Sequence, residues 1–178
     1  TSRSVLCPVD FSAESLATLA HAVEIARRSE ARLVAVHVVD PLLARAAAAA
    51  YHTAVVIEES EHALRDAIDH IRSETGASGP PIVARVLVGD TATAICDFCA
   101  RQAVDLIVVG SHDEGRYRHR VFGSVCENLL RNAPVPVLVF PAHASRLATV
   151  CVVDRLTDPV SSHTDPSTAS SPLKYRGE

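Results

Sequence analysis

The sequence is poor in aromatic residues and has no long apolar run. Only 4% of its 178 residues are aromatic and none is tryptophan, so a core has to be built from valine, leucine, isoleucine and alanine. No apolar stretch approaches the roughly 20 residues that cross a bilayer, which predicts no association with a membrane. The net charge is only −4. It gives no general electrostatic reason to bind nucleic acid.

Apolar residues nonetheless make up 48% of the chain, which excludes disorder of the whole chain. The length is sufficient for one ordinary domain with a core. The five cysteines are odd in number and lie mostly among apolar residues, which favours a reducing compartment over a disulfide framework. No signal-peptide pattern precedes the strand predicted from Ser4. These observations predict a cytoplasmic protein.

Short apolar segments alternate with amphipathic ones along the first 140 residues. This alternation predicts an α/β fold with a doubly wound, five-stranded, mostly parallel sheet and helices on both faces. Ligands of such sheets bind beyond the carboxyl ends of the strands, where the strand order reverses. The predicted strands are Ser4–Val9, Leu33–Val39, Ile82–Val88, Leu106–Val109 and Val135–Phe140.

The segment from Val104 to Phe140 has the pattern of a phosphate-binding loop. A buried strand runs into Gly110, an arginine-rich loop follows, and Gly123-Ser124 opens a helix. The backbone N–H groups and the positive end of the helix dipole then face an anion. If the first and fourth strands are neighbours, Asp10 and Gly110 face each other across one crevice. The segment therefore points to nucleotide binding.

The composition changes after Phe140. Residues 141–178 are rich in serine, threonine, proline and aspartate, and most of them are expected to form a flexible tail. Thr149–Val153 is a candidate for one short strand. We therefore expect a domain over residues 1–140 and an extension over residues 141–178.

Four sequence pieces resemble the universal stress proteins: SVLCPVDFSAES, HVVDP, DLIVVGSH and FGSVCENLLRNAPVPVLVF. The resemblance covers roughly residues 3–140 and implies an adenine-nucleotide alpha-hydrolase-like, Rossmann-like fold. The family's nucleotide-binding pattern is glycine, two residues, glycine, nine residues, and then Gly-Ser or Gly-Thr. Gly110 and Gly123-Ser124 stand at the family's spacing, and Asp113 occupies the position of the middle glycine.

The resemblance implies a site for ATP, with Mg²⁺ accompanying the phosphates. In family members that hold ATP, the position of Asp10 lies beside the adenosine, and the position of Val38 contacts adenine through its backbone. The glycine loop and the helix that begins at Ser124 hold the ribose and the phosphates. The implied set of binding residues is Pro8, Val9, Asp10, Val38, Gly110, Ser111, His112, Asp113, Gly123, Ser124 and Val125.

Asp113 is the one departure from the family's pattern. A carboxylate about 5 Å from a phosphate repels it by roughly 1–3 kcal/mol, which lowers affinity about tenfold to a hundredfold. Arg116, Arg118 and Arg120 stand nearby in the sequence, and one bidentate arginine would offset this penalty. Alternatively, Asp113 binds the Mg²⁺ of the nucleotide.

The resemblance also implies a homodimer through Val135–Phe140, because this strand commonly pairs across the dimer axis in the family. Efficient catalysis is not predicted, since no general base or nucleophile can be identified beside the loop. The resemblance implies that the protein binds ATP as a regulatory or sensing ligand in a stress response. Two alternatives stay open: a dimeric interaction module without nucleotide, and a slow ATP hydrolase.

Two other patterns have structural interpretations that we favour over chemical ones. Cys96 and Cys99 have the spacing of a redox pair, but they lie in the middle of a predicted helix, where cysteine fills core volume. A stripe of residues four apart on another helix is explained by an exposed charged face without a metal ion: it consists of Glu58, His62, Asp66 and His70. No metal site is predicted.

Overall fold

Strands and helices alternate in the computed structural model, which describes residues 3–42, 44–46, 53–75, 79–111, 122–141 and 152–153. Residues 41–42 and 44–46 are also helical. The remaining elements, in chain order, are β1 Ser4–Pro8, α1 Ala13–Arg28, β2 Arg32–Val39, α2 Thr53–Thr75, β3 Ile82–Val88, α3 Thr91–Gln102, β4 Leu106–Gly110, α4 Ser124–Asn132, β5 Val137–Phe140 and β6 Val152–Val153.

These strands form one sheet in the order β3-β2-β1-β4-β5-β6. The first five run parallel, and β6 runs antiparallel to β5. Val5 pairs with Leu106, so the first and fourth strands are neighbours as the crevice hypothesis required. The strand order therefore reverses beside β1. The predicted doubly wound α/β fold is confirmed.

The core lies on both faces of the sheet, because side chains alternate along each strand. In β1, Val5 and Cys7 face one buried cluster and Leu6 faces the other. Helices α1 and α2 cover the first face and helices α3 and α4 the second. The helical residues of the first cluster include Leu19, Val23, Leu64, Ile68 and Ile71, and those of the second include Ile95, Cys99 and Leu129.

Side-chain caps fix the starts of α1 and α3. Ser12 Oγ accepts a hydrogen bond of 3.2 Å from the backbone N–H of Ser15. Asp90 Oδ1 accepts one of 3.0 Å from the N–H of Thr93. Each cap satisfies a donor that the first helical turn leaves without an intrahelical acceptor.

Strand β5 begins at Val137 instead of the predicted Val135, because Pro134 and Pro136 have no N–H for a ladder. Strand β6 lies on its outer side, with Val137 opposite Val153. Within the residues described, no helix is long and apolar enough to cross a membrane.

Candidate functional site

A cavity of about 220 Å³ opens at the carboxyl ends of β1, β2 and β4, beside the start of α4. This is the place where the strand order reverses, so the loops after neighbouring strands diverge and leave a crevice. Eight of the residues implied by the resemblance line it: Pro8, Val9, Asp10, Val38, Gly110, Gly123, Ser124 and Val125.

Of the other three expected residues, Ser111 does not line the cavity but joins neighbouring elements. Its N–H donates to Phe140 O at 2.7 Å and its carbonyl accepts from Gly123 N at 3.3 Å. This pair of bonds fixes the end of β4 against β5 and against the start of α4. His112 and Asp113 lie outside the described residues.

Six further residues line the cavity and were not predicted as binding residues: Ser15, Val36, His37, Thr91, Val109 and Cys126. Thr91 opens α3 and reaches the cavity because the turn after β3 lies beside the end of β2, where Gly89 N donates to Val39 O at 3.1 Å. Only the strand order reveals this proximity. The sequence carried a local signal for His37, which directly precedes Val38 in the HVVDP piece.

Hydrogen bonds within the first loop orient Asp10. Its Oδ1 accepts from the backbone N–H of Ser12 at 3.0 Å and from Ser12 Oγ at 2.6 Å. Its own N–H donates to Ser15 Oγ at 3.3 Å. This short turn therefore places an acidic side chain at the cavity wall and starts α1 with the same serine.

His37 and Phe11 brace this loop from the side of β2. His37 Nδ1 lies 2.8 Å from the carbonyl oxygen of Val9. A carbonyl only accepts hydrogen bonds, so Nδ1 carries the hydrogen. The His37 ring packs against Phe11 with centroids 4.6 Å apart, and Phe11 has a φ of 64°. This left-handed conformation is unfavourable for a non-glycine residue, and the ring contact helps to hold it.

Gly110 is required by a close approach between β4 and α1. A Cβ atom at this position would lie 3.0 Å from Thr18 Oγ1. Thr18 is buried, and its hydroxyl donates to Glu14 O at 2.8 Å. The glycine therefore lets the end of β4 pack closely against α1 while its backbone lines the cavity.

The start of α4 differs from the starts of α1 and α3. Its N-cap is Gly123, which supplies no side-chain acceptor to the first turn. The first residues of this helix, Ser124, Val125 and Cys126, all line the cavity. The N-terminal backbone donors and the positive end of the helix dipole therefore lie at the cavity without a capping side chain. Chemically, such a wall suits an anionic group.

Cys99 is a buried core residue, and Cys96 is half-buried and packs against the same core cluster. Burial raises the pKa of the Cys99 thiol to about 12. The pKa of Cys96 is raised as well, first by burial and then by the negative charges of Asp97 and Asp90. Thiols with raised pKa values carry little thiolate at neutral pH and are poor redox nucleophiles. The packing interpretation of Cys96 and Cys99 therefore fits their surroundings.

The parallel sheet covered on both faces, with a cavity where the strand order reverses, defines a Rossmann-like α/β protein. Within this class the chain belongs to the universal stress protein family, because the model described as "Universal stress protein family" matches residues 1–141. The resemblance inferred from the four sequence pieces is confirmed.

Individual family members agree with this assignment. Universal stress protein MJ0531 of Methanocaldococcus jannaschii is 30% identical over 141 residues, which cover 77% of this chain and 81% of the relative. The structure of universal stress protein UspA from Lactobacillus plantarum matches with 26% identity and a TM-score of 0.63, over 77% of this chain and 96% of that one. A universal stress protein crystallised with cAMP matches with 26% identity and a TM-score of 0.58, over 79% of this chain and 98% of that protein.

Proposed function

We propose that this protein binds an adenine nucleotide, ATP with Mg²⁺, as a regulatory or sensing ligand in a stress response. The observation that carries the proposal is the start of α4, where Gly123 supplies no side-chain cap at the wall of the cavity. A phosphate group supplies the acceptors that a capping side chain supplies elsewhere.

The layout of the cavity supports one orientation of the ligand. Gly110, Gly123 and Ser124 line it on the side of β4 and α4, where backbone donors favour phosphate. Val38 and Thr91 line it on the side of β2 and α3, and the carbonyl and N–H of a strand end suit the edge of a base. Asp10 stands between them, in reach of a ribose hydroxyl in this orientation.

A relative supports the class of ligand. The universal stress protein matched at 26% identity was crystallised with cAMP, which contains adenine, ribose and one phosphate. For this chain we propose ATP, because the loop between Gly110 and Gly123 keeps the spacing of the family members that hold it. His112 and Asp113 belong to the proposed site as members of that loop.

Asp113 favours a second candidate, an interaction module of the same family without nucleotide. A carboxylate in place of the middle glycine opposes a phosphate through its charge. In both candidates we propose a cytoplasmic homodimer that forms through Val135–Phe140. Slow hydrolysis of bound ATP is a further variant of the first candidate.

Calorimetric titration of the purified protein with ATP, in the presence and absence of Mg²⁺, tests the proposal. We expect saturable binding of ATP and weaker binding of GTP, whose base presents a different hydrogen-bonding edge. Dependence on Mg²⁺ would assign the metal to the phosphates. The absence of binding heat for ATP and cAMP at several temperatures would favour the interaction module instead.

A further inference from the structure

The outer side of β5 is where a further strand can join this sheet. On its inner side β5 pairs in parallel with β4, from Ile107 opposite Val137 to Gly110 opposite Phe140. Its outer side would present backbone donors and acceptors between apolar side chains, which is the usual site for pairing with another chain. In this protein that side carries β6, with Val137 opposite Val153 and Leu138 opposite Val152.

Strand β6 comes from outside the family domain. The family match ends at residue 141, and β6 begins at Val152. The UspA structure from Lactobacillus plantarum is covered over 96% of its own length by 77% of this chain. The extension thus adds an element to a sheet that is otherwise the one shared with the family.

Prolines and β6 together cover most of the edge. Pro134 and Pro136 have no backbone N–H, so the segment that leads into β5 is a poor template for pairing. Strand β6 occupies the positions of Val137 and Leu138. Among the residues that the structure describes, Val139 and Phe140 lie beyond this pairing, and two residues are fewer than a typical strand contains.

One edge accepts one strand at a time, so β6 and the β5 strand of a second copy compete for Val137 and Leu138. We propose that β6 is an exchangeable cap that closes the β5 edge within its own chain, and that a second copy takes this edge only after β6 has detached. The inference rests on the dimer in the proposed function, and it is independent of the nucleotide site.

The described pairing of β6 is short enough for exchange. It consists of two residues with few backbone hydrogen bonds, and small elements of this kind open locally at low free energy. A dimer needs both copies uncapped, so its apparent dissociation constant depends on the square of the uncapped fraction. If each copy is open about a tenth of the time, removal of the cap lowers that constant about a hundredfold.

The test compares the full chain with a full-length variant that carries Val152→Pro and Val153→Pro. The two prolines remove both N–H donors of β6 and leave the family domain unchanged. Val160→Pro replaces one valine of the extension outside β6 by proline and is the control. Sedimentation velocity over a wide range of protein concentrations, without nucleotide, gives the dissociation constant of the dimer.

We expect the double-proline variant to dimerise about a hundredfold more tightly than the wild type and the Val160→Pro control. Equal dissociation constants, or monomers at every concentration in all three proteins, would overturn the proposal. Weaker dimerisation of the variant would also overturn it, because β6 would then be part of the interface. A variant with Val152→Asp and Val153→Asp provides a second disruption of β6 if the prolines impair folding, which circular dichroism monitors. Loss of ATP binding alone would leave this inference standing.

Discussion

At the residue scale, the fit between β4 and α1 depends on the missing side chain of Gly110. A methyl group there would lie 3.0 Å from Thr18 Oγ1, and Thr18 is held by its bond to Glu14 O. Overpacking of this kind costs about 1–3 kcal/mol. We therefore expect Gly110→Ala to lower the free energy of unfolding by about 1–3 kcal/mol, as measured by urea denaturation.

A double-mutant cycle assigns this loss to the contact. Thr18→Ala removes the hydroxyl and leaves the Thr18 Cβ at 4.0 Å from the new methyl group, an ordinary contact distance. The double variant should therefore lose less stability than the sum of the two single variants. Additive losses would show that Gly110 is needed for another reason.

The charge of Asp113 is the second question at this scale. Asp113→Gly removes the carboxylate and the Cβ atom, whereas Asp113→Asn removes the charge and keeps the shape. If the carboxylate repels phosphate, Asp113→Gly should bind MgATP about tenfold to a hundredfold more tightly. Asp113→Asn should show most of this gain, because charge is the larger effect. Titration calorimetry gives the affinities, and a loss of affinity in both variants would make Asp113 a positive contact through the metal.

At the scale of elements, the start of α4 is left without a cap where a ligand would supply one. Gly123 has a φ of −68°, which any residue adopts. Gly123→Asp would cap the helix and add a negative charge at its positive end, for a gain of a few tenths of a kcal/mol in the ligand-free protein. The same carboxylate would weaken ATP binding about tenfold or more.

Opposite changes in stability and in affinity are the expected signature of this substitution. Gly123→Ser is the matched control, because it adds a cap without a charge. Melting without ligand and titration with MgATP provide the two readouts. Unchanged ATP affinity in Gly123→Asp would remove α4 from the phosphate site.

The last turn of α1 predicts a dependence of stability on pH. Hydrogen bonds from Arg27 and Arg28 lower the pKa of Glu24 from its ordinary value of 4.5 to about 2. Because the pKa of Glu24 is lower in the folded protein, its ion pairs contribute to the free energy of unfolding. This contribution is complete above pH 4.5 and is lost as the pH falls towards 2. Its size is modest, since the partners are exposed and salt weakens the pair.

Glu24→Gln should therefore flatten the decline in stability between pH 4.5 and 2. Glu30→Gln, which lies beyond the end of the helix, gives the background for removing one carboxylate. Urea denaturation at a series of pH values measures the slopes. If the free energies of unfolding of the two variants decline in parallel with falling pH, the ion pairs of Glu24 contribute nothing that urea denaturation resolves.

Local sequence predicted the elements better than the contacts between them. Strand β3 has its predicted bounds, Ile82–Val88, because its apolar run lies between Pro81 and Gly89. The cavity wall depends on long-range pairing instead. The bond of His37 to Val9 needs β1 and β2 in parallel register, with Pro8 opposite Val36, and a single strand carries no signal for its register.

At the scale of the whole molecule, the strand order brings five separate parts of the chain to one cavity. The ends of β1, β2 and β4 and the starts of α3 and α4 meet because β1 lies between β2 and β4. The sequence predicted this neighbourhood through the alternation of strands and helices and through the resemblance to the family. The pairing of β6 with β5 was not predicted, because two valines in a polar extension have no periodicity that selects a partner strand.

Nucleotide binding is the central claim, and the protein as purified tests it most directly. The protein is prepared without added nucleotide and denatured, the supernatant is assayed for adenine nucleotides, and the melting temperature is then followed against MgATP. We expect either copurified adenine nucleotide or a rise in melting temperature. Ligand at about 100 times its dissociation constant adds roughly 2.7 kcal/mol to the free energy of unfolding. A preparation free of nucleotide whose melting temperature does not respond to MgATP would contradict the claim.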